Sequence, residues 1–154
     1  SFQTHGITPV SDIVNNALHA KANTVVVTGG EPSLYNLAPL TKELRASSIS
    51  AFIETSGAYP LTGEWDWICL SPKKQNPPHP FIFEKASELK VIVQHPDDFL
   101  WAEENARKVG RNCKLYLQPE WSRYNIVIPE IVEYVKKNAL WQVSLQAHKF
   151  MHIP

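Results

Sequence analysis

Hydrophobic and polar positions along this chain fall into two periods, and the switches between them mark out helices and strands. Thr8-Pro9-Val10-Ser11-Asp12 has the chemistry of a helix start, and Ile13, Val14, Ala17 and Leu18 then recur at helical spacing. Residues 24–28 read as a strand built on Val25-Val26-Val27, whose three β-branched side chains suit a buried position. Residues 34–46 predict an amphipathic helix with Leu37, Leu40 and Leu44 on one face. Further strands are expected over residues 51–57, 65–70, 88–93, 114–117 and 141–145. Helices are expected over residues 96–109, with Glu103, Glu104, Arg107 and Lys108 on the wet side, and over residues 128–138. A proline-rich loop covers residues 75–80, and Phe81-Ile82-Phe83-Glu84 leaves little room for a full helix before the fourth strand.

Strand, helix and strand alternate with no hairpin signal, so the class is α/β with a mostly parallel sheet. Polar residues follow nearly every strand, which favours a partial (β/α) barrel with helices outside over a doubly wound sheet. In a barrel all the strand ends converge on one mouth. A single domain over residues 1–154 is expected.

The strand ends carry the candidate chemistry. After Val27 come Thr28, Gly29, Gly30 and Glu31, with Pro32 fixing the chain direction into the next element. By itself this is either a tight turn with a solvated acid or a site presenting backbone groups and one carboxylate. The other ends are Glu54-Thr55-Ser56-Gly57, Ser71-Pro72-Lys73, Gln118-Pro119-Glu120 and Gln146-Ala147-His148-Lys149. Five such clusters on one side of a parallel sheet favour a concave small-molecule site over five separate turns. Lys90 stands apart from them. It lies inside an apolar strand, where a lysine is expensive unless paired or pointing into a polar interior.

Composition narrows the partners. Fifteen Lys and Arg balance fifteen Asp and Glu, which gives no reason to expect nucleic acid. No apolar run reaches the ~20 residues of a membrane span. The only two cysteines, Cys69 and Cys113, lie far apart and form no metal-binding motif by themselves. Two thiols in a domain of this size suit a reducing, cytoplasmic compartment. Cys69, within Trp67-Ile68-Cys69-Leu70, reads as a small buried hydrophobe.

Taken in order, six segments resemble those of the 7-carboxy-7-deazaguanine synthases. They are Thr28-Gly29-Gly30-Glu31-Pro32-Ser33, Glu54-Thr55-Ser56-Gly57, Ser71-Pro72-Lys73, Glu88-Leu89-Lys90-Val91, Leu117-Gln118-Pro119 and Ser144-Leu145-Gln146-Ala147-His148-Lys149. That family belongs to the radical S-adenosylmethionine (SAM) enzymes of queuosine and deazapurine biosynthesis. The resemblance implies that a reduced [4Fe–4S] cluster cleaves SAM, and that the radical formed opens the route from 6-carboxy-5,6,7,8-tetrahydropterin to 7-carboxy-7-deazaguanine. It also implies Mg²⁺, a homodimer and an electron donor such as flavodoxin; Trp101 or Trp141, read as exposed tryptophans, are the candidates for an interface.

The family's Cys-x-x-x-Cys-x-x-Cys cluster loop is absent from this sequence. Phe2-Gln3-Thr4 resembles the family's opening strand and Ile7-Thr8-Pro9-Val10 the segment after the loop, so a junction between Thr4 and Thr8 lacking that segment is expected. Cluster and Mg²⁺ ligands would then lie in the segment not present.

Residue by residue, the resemblance places Gly29, Gly30 and Glu31 around the amino group of SAM. Ser71, Pro72 and Lys73 form a second SAM segment, and Gln118, Pro119 and Glu120 a third near the nucleoside, with Trp121 as its cover. Glu54 is a candidate for the ribose hydroxyls. Thr28, Lys90, His148, Lys149 and the terminal carboxylate of Pro154 fall on the substrate side. Three other readings stay open: a glycyl-radical activating enzyme, a barrel lyase using Lys90 as a Schiff-base nucleophile, and a non-catalytic ligand-binding domain.

Overall fold

A computed structural model describes residues 7–151 of the 154. Thr4, at one side of the expected junction, and Pro154 lie outside the described residues. The first helix, α1 (Val10–His19), leads into β1 (Thr24–Val27). A single 3₁₀ turn, Pro32–Leu34, precedes α2 (Ala38–Ala46). Then come β2 (Ser50–Thr55), β3 (Trp67–Leu70), the short α3 (Pro80–Lys85) and β4 (Glu88–Val93). The chain continues through α4 (Asp97–Ala106), β5 (Lys114–Pro119), α5 (Tyr124–Lys137), β6 (Trp141–Val143) and α6 (Ala147–Met151).

The six strands form one sheet in the order β1-β2-β3-β4-β5-β6, and every pairing is parallel. Spatial order equals sequence order, so the sheet has no switch point and is an open (β/α) arrangement, as the polar strand ends indicated. All six C-terminal ends lie along the same edge.

Burial follows the two-residue period of each strand. In β2, Ala51, Ile53 and Thr55 are buried while Phe52 and Glu54 are half-buried, and β4 repeats this with Leu89, Val91 and Val93 against Glu88, Lys90 and Ile92. The buried set packs on the helices. Leu70, Ile82, Leu89, Leu117, Val127 and Ile131 belong to the main core, and Val14, Leu40 and Leu44 to a second cluster under α1 and α2. The other face of the sheet carries the mixed side chains that line the candidate site.

Several sequence expectations change in detail. Val26 is 57% exposed, because β1 is an edge strand and the Val26 face is not covered by helices among the described residues. The helix expected from residue 34 starts at Ala38, since Pro32 and Glu31 close a separate 3₁₀ turn first. Helix α5 starts at Tyr124 and carries Pro129 at its sixth position, inside the helix, where the ring removes the N–H that would otherwise donate to the Asn125 carbonyl. The six-residue α3 agrees with the lack of room before β4, whereas α6 carried no recognisable apolar period.

The two tryptophans expected at an interface do not stand free. Trp141 is 3% exposed and donates its indole N–H to Glu103 at 2.9 Å, and Trp101 is half-buried against the core. Glu103 likewise leaves the wet side of α4 and accepts from the Tyr134 hydroxyl at 2.5 Å. No helix of the described residues is long and apolar enough to cross a membrane.

Candidate functional site

The turn after β1 is built around a single carboxylate. Gly29 (φ 87°) and Gly30 (φ 54°) hold the left-handed backbone that turns the chain, and a Cβ at either would meet nothing within 4 Å. Their peptide groups therefore stand beside open space. Glu31 then points back under the turn. Its Oε1 accepts from the Ser33 amide at 3.0 Å, the Ser33 hydroxyl at 2.6 Å and the Thr55 hydroxyl at 2.5 Å. Its Oε2 accepts from the Ser56 amide at 2.8 Å and from the Ser56 hydroxyl.

Those contacts fix the charge of Glu31. Burial pushes its pKa up, but the hydroxyls of Ser33, Ser56 and Thr55 and the Ser33 amide outweigh that and hold it at about 2. All the lone pairs of the carboxylate are engaged from within the chain. Glu31 thus locks the Gly-Gly turn onto the end of β2. Sequence reasoning placed Glu31 at the site but missed Ser33, Thr55 and Ser56 as its partners. The cue was there in two short hydroxyl residues at the neighbouring strand end.

Three of the five predicted strand ends share one concavity. Thr28 to Glu31, Glu54 to Ser56, Ser71 and Lys73 line a cavity of about 230 Å³. Ser71 is buried, its amide donates to the Thr55 carbonyl at 2.8 Å, and its hydroxyl lies 3.4 Å from the Lys73 ammonium. Pro72 is buried beside it. Hydroxyls, an ammonium and unencumbered peptide groups suit the carboxylate, amine and ribose of SAM, so these residues fit that cofactor.

Below this rim, the half-buried side chains of the sheet form a second cavity of about 430 Å³, in which Glu54 is shared. Lys90 reaches Glu54 with 2.6 Å between ammonium and carboxylate, and its side chain is only 12% exposed. The lysine therefore points to the site face and is paired there. Glu88, two residues earlier on the same face, accepts from the Trp67 indole at 3.1 Å and from the Cys69 thiol at 3.3 Å. Val26 and Phe52 complete an apolar wall. The alternation of Glu88 and Lys90 with Leu89 and Val91 was the sequence cue for Glu88, which the residue-type search passed over.

The remaining two strand ends make a separate flank. Gln118 is buried and accepts from the Ser144 hydroxyl at 3.1 Å, joining β5 to the chain beyond β6. Glu120 is held below the usual carboxylate range by the Ser122 hydroxyl, 2.5 Å away. Trp121 is half exposed, with the Lys149 ammonium 5.5 Å above its ring and the Phe150 ring edge-on at 5.2 Å between centroids. His148 is exposed on α6. So Trp121 and Lys149 come together, and none of Gln118 to Trp121, His148 or Lys149 lines the cavity that holds Gly29 and Ser71.

The thiols stay apart. Cys69 is buried and its pKa is pushed up by burial, with Lys90 acting the other way; burial also raises Cys113 to about 11. Among the described residues no group of three His, Cys, Asp or Glu is placed to hold a metal. A [4Fe–4S] cluster needs thiolates, and the described residues do not fit one.

No family model matches this chain. Individual relatives do. The chain is 51% identical over 150 residues to the 7-carboxy-7-deazaguanine synthase of Flavobacterium psychrophilum, covering 97% of this chain and 71% of that one. It is 44% identical over 151 residues to the synthase of the same name from Synechocystis, covering 98% and 72%. With that of Prochlorococcus marinus it shares 31% over 180 positions, covering 99% and 79%. Its fold superposes on the crystal structure of QueE from Escherichia coli with a TM-score of 0.78 and 25% identity, over 94% of this chain and 69% of that one. With five of the six ordered segments at the C-terminal edge of one parallel sheet and the other, Glu88-Leu89-Lys90-Val91, within β4, this chain belongs to the 7-carboxy-7-deazaguanine synthase family.

Proposed function

We propose that this enzyme converts 6-carboxy-5,6,7,8-tetrahydropterin to 7-carboxy-7-deazaguanine by radical SAM chemistry. The observation that carries the reading is the shared cavity of Thr28 to Glu31, Glu54 to Ser56, Ser71 and Lys73 in a chain 51% identical to a synthase of that name. SAM supplies hydrogen-atom abstraction when bound. The chain's own residues supply binding and orientation.

In this reading Gly29 and Gly30 offer backbone groups to the amino-acid end of SAM, and Glu31 receives its ammonium by release of one hydroxyl donor, Ser33 or Ser56. Lys73 takes the carboxylate, and Ser71 and Pro72 close that side. Glu54 stands between the two cavities and serves the ribose or the pterin. Thr28 and Lys90 face the substrate. Gln118, Pro119, Glu120 and Trp121 form the nucleoside flank, onto which α6 brings His148 and Lys149. The planar, donor-rich pterin suits an apolar wall with a charged pair at its rim.

The cluster and Mg²⁺ belong to a segment between Thr4 and Thr8. The match to the Prochlorococcus marinus protein runs over 180 positions, more than the 154 residues here, so that relative carries residues within the aligned range that this chain lacks. Intact mass spectrometry of the purified protein checks it; a mass of 17.5 kDa would exclude the segment. The homodimer, the flavodoxin-type donor and the cytoplasmic location complete the proposal.

The test of function is anaerobic iron–sulfide reconstitution followed by turnover of the carboxytetrahydropterin, read as 7-carboxy-7-deazaguanine formed. Failure to cleave SAM would overturn the reading. Cleavage of SAM without pterin turnover would redirect it to another radical SAM substrate.

A further inference from the structure

We infer that the ion pair between Lys74 and Asp98 positions the Ser71-Pro72-Lys73 segment for SAM, an inference that rests on the cofactor reading above. The segment is held firmly on one side only. Toward β2, the Ser71 amide bonds the Thr55 carbonyl at 2.8 Å. Toward β4 the ladder ends early: β3 pairs with β4 at Cys69 and Leu70 alone, whereas β4 runs on to Val93 beside β5. Above Leu70 the two strands diverge, and a cavity of about 300 Å³ opens between Pro72, Lys73 and Lys74 on one wall and Gln94, His95 and Asp98 on the other.

Asp98 is an anchor suited to span that opening. It is 7% exposed, and its Oδ2 accepts from the amides of Gln94 at 2.7 Å and His95 at 3.0 Å. That fixes the carboxylate to the turn after β4. Its Oδ1 takes the Lys74 ammonium. One residue before Lys74 stands Lys73, and an antiparallel bridge from Lys73 to Asn76, closed by the Asn76 amide donating to the Lys73 carbonyl at 3.3 Å, ties the loop together. A shift of Lys74 therefore carries Lys73 and Pro72 with it. Asp98 does not line the cofactor cavity, so it acts through the loop.

A surface ion pair between two wet side chains would do little. Here one partner is buried and already hydrogen-bonded, so the ammonium meets a preorganised acceptor and the pair sets a geometry. Small displacements of a binding loop are enough to cost one to two orders of magnitude in binding or rate.

Equilibrium dialysis of SAM on the reconstituted full-length enzyme tests this with Lys74→Ala, Lys74→Arg and Asp98→Asn. Lys74→Ala is expected to weaken SAM binding roughly tenfold with little change in the KM for the pterin, and Lys74→Arg to restore most of it. Asp98→Asn should weaken SAM binding by a similar factor. Unchanged SAM affinity in Lys74→Ala would overturn the inference even if Asp98→Asn unfolds, because Lys74 is half exposed and its loss breaks only the brace. An equal rise in the pterin KM would also overturn it, as loss of a merely structural tie. Wild-type protein that binds no SAM would overturn the cofactor reading and this inference together; wild-type binding with an indifferent Lys74→Ala sinks the brace alone.

Discussion

The Thr55 hydroxyl donates to the Glu31 carboxylate at 2.5 Å, across 24 positions of sequence, and so ties the end of β2 to the turn after β1. The cofactor turn is thereby built from two strands at once. An acid that looks available for a ligand is engaged by donors from Ser33, Thr55 and Ser56. Binding and folding share this residue.

Replacing Glu31 by Gln removes the charge and tests both roles at once. The amide nitrogen would face a donor, either Ser33 and Thr55 or Ser56, leaving at least one buried N–H or O–H unpaired. A loss of about 2 kcal/mol of stability is expected from urea denaturation, together with loss of measurable SAM binding. A variant as stable as wild type would show that these bonds are not formed.

The same contacts set an acid dependence. The Glu31 carboxyl sits at about 2 in the folded chain against an ordinary 4.5, so its stabilisation is present above about 4.5 and is lost as the pH falls toward 2. The Asp98 carboxyl, where burial is outweighed by Lys74 and the Gln94 and His95 amides, is also lowered and acts in the same direction. After allowance for solvent screening, the Glu31 contribution is on the order of 1 kcal/mol. Melting curves between pH 5.5 and 3 should fall less steeply for Glu31→Gln than for wild type. Parallel curves would count against the assignment.

Two glycines at strand ends should respond differently to a methyl group. Gly57 has φ 73°, and a Cβ there would stand 2.6 Å from Leu70 Cδ1 and 2.9 Å from Ile82 Cγ2, in the main core. Gly57→Ala should cost about 2–4 kcal/mol, from strain and overpacking together. Gly30→Ala, at φ 54° with open space around it, should cost only about 1 kcal/mol and act instead on SAM affinity. Equal melting temperatures for the two variants would refute the distinction.

How far this was legible from sequence depended on the range of the interaction. The parallel order of strands followed from local periods, and the strand ends from residue type. Lys90 was legible because a charge in an apolar run demands a partner, although the identity of that partner as Glu54 needed the β2–β3–β4 order. The division of the site into two flanks was not legible. It depends on Gln118 meeting Ser144 and on Phe150 meeting Trp121, both pairings set by tertiary packing. Nor could the exposed Val26 be told from a buried valine, since edge position is a property of the whole sheet.

Lys90 also bears on the choice between radical chemistry and a Schiff-base lyase. Its ammonium is engaged by Glu54 at 2.6 Å, an arrangement that ties the side chain into an ion pair rather than leaving it free to attack a carbonyl. Lys90→Met should therefore raise the KM for the pterin roughly tenfold and leave SAM binding in place, while borohydride with substrate should trap no adduct on wild-type Lys90. Trapping on Lys90 would reverse the assignment.

At the opposite edge of the sheet, Glu103 gives a control on stability alone. It accepts from the Tyr134 hydroxyl at 2.5 Å and from the Trp141 indole at 2.9 Å, where Trp141 opens β6. Burial, the hydrogen bond to Glu103 and the charge of Glu103 together raise the Tyr134 phenol to about 12 from 10.0. Glu103→Ala strands the buried indole N–H, at about 1–3 kcal/mol, which is roughly 2–12 °C in melting temperature for a chain of this size. The phenol should then titrate closer to 10.0, read by its ultraviolet absorbance, since its anionic neighbour is gone. SAM affinity should stay as in wild type, because the strand ends that line the cofactor cavity lie at the far end of the sheet. A loss of SAM binding at unchanged stability would mean that this end of the barrel is coupled to the mouth.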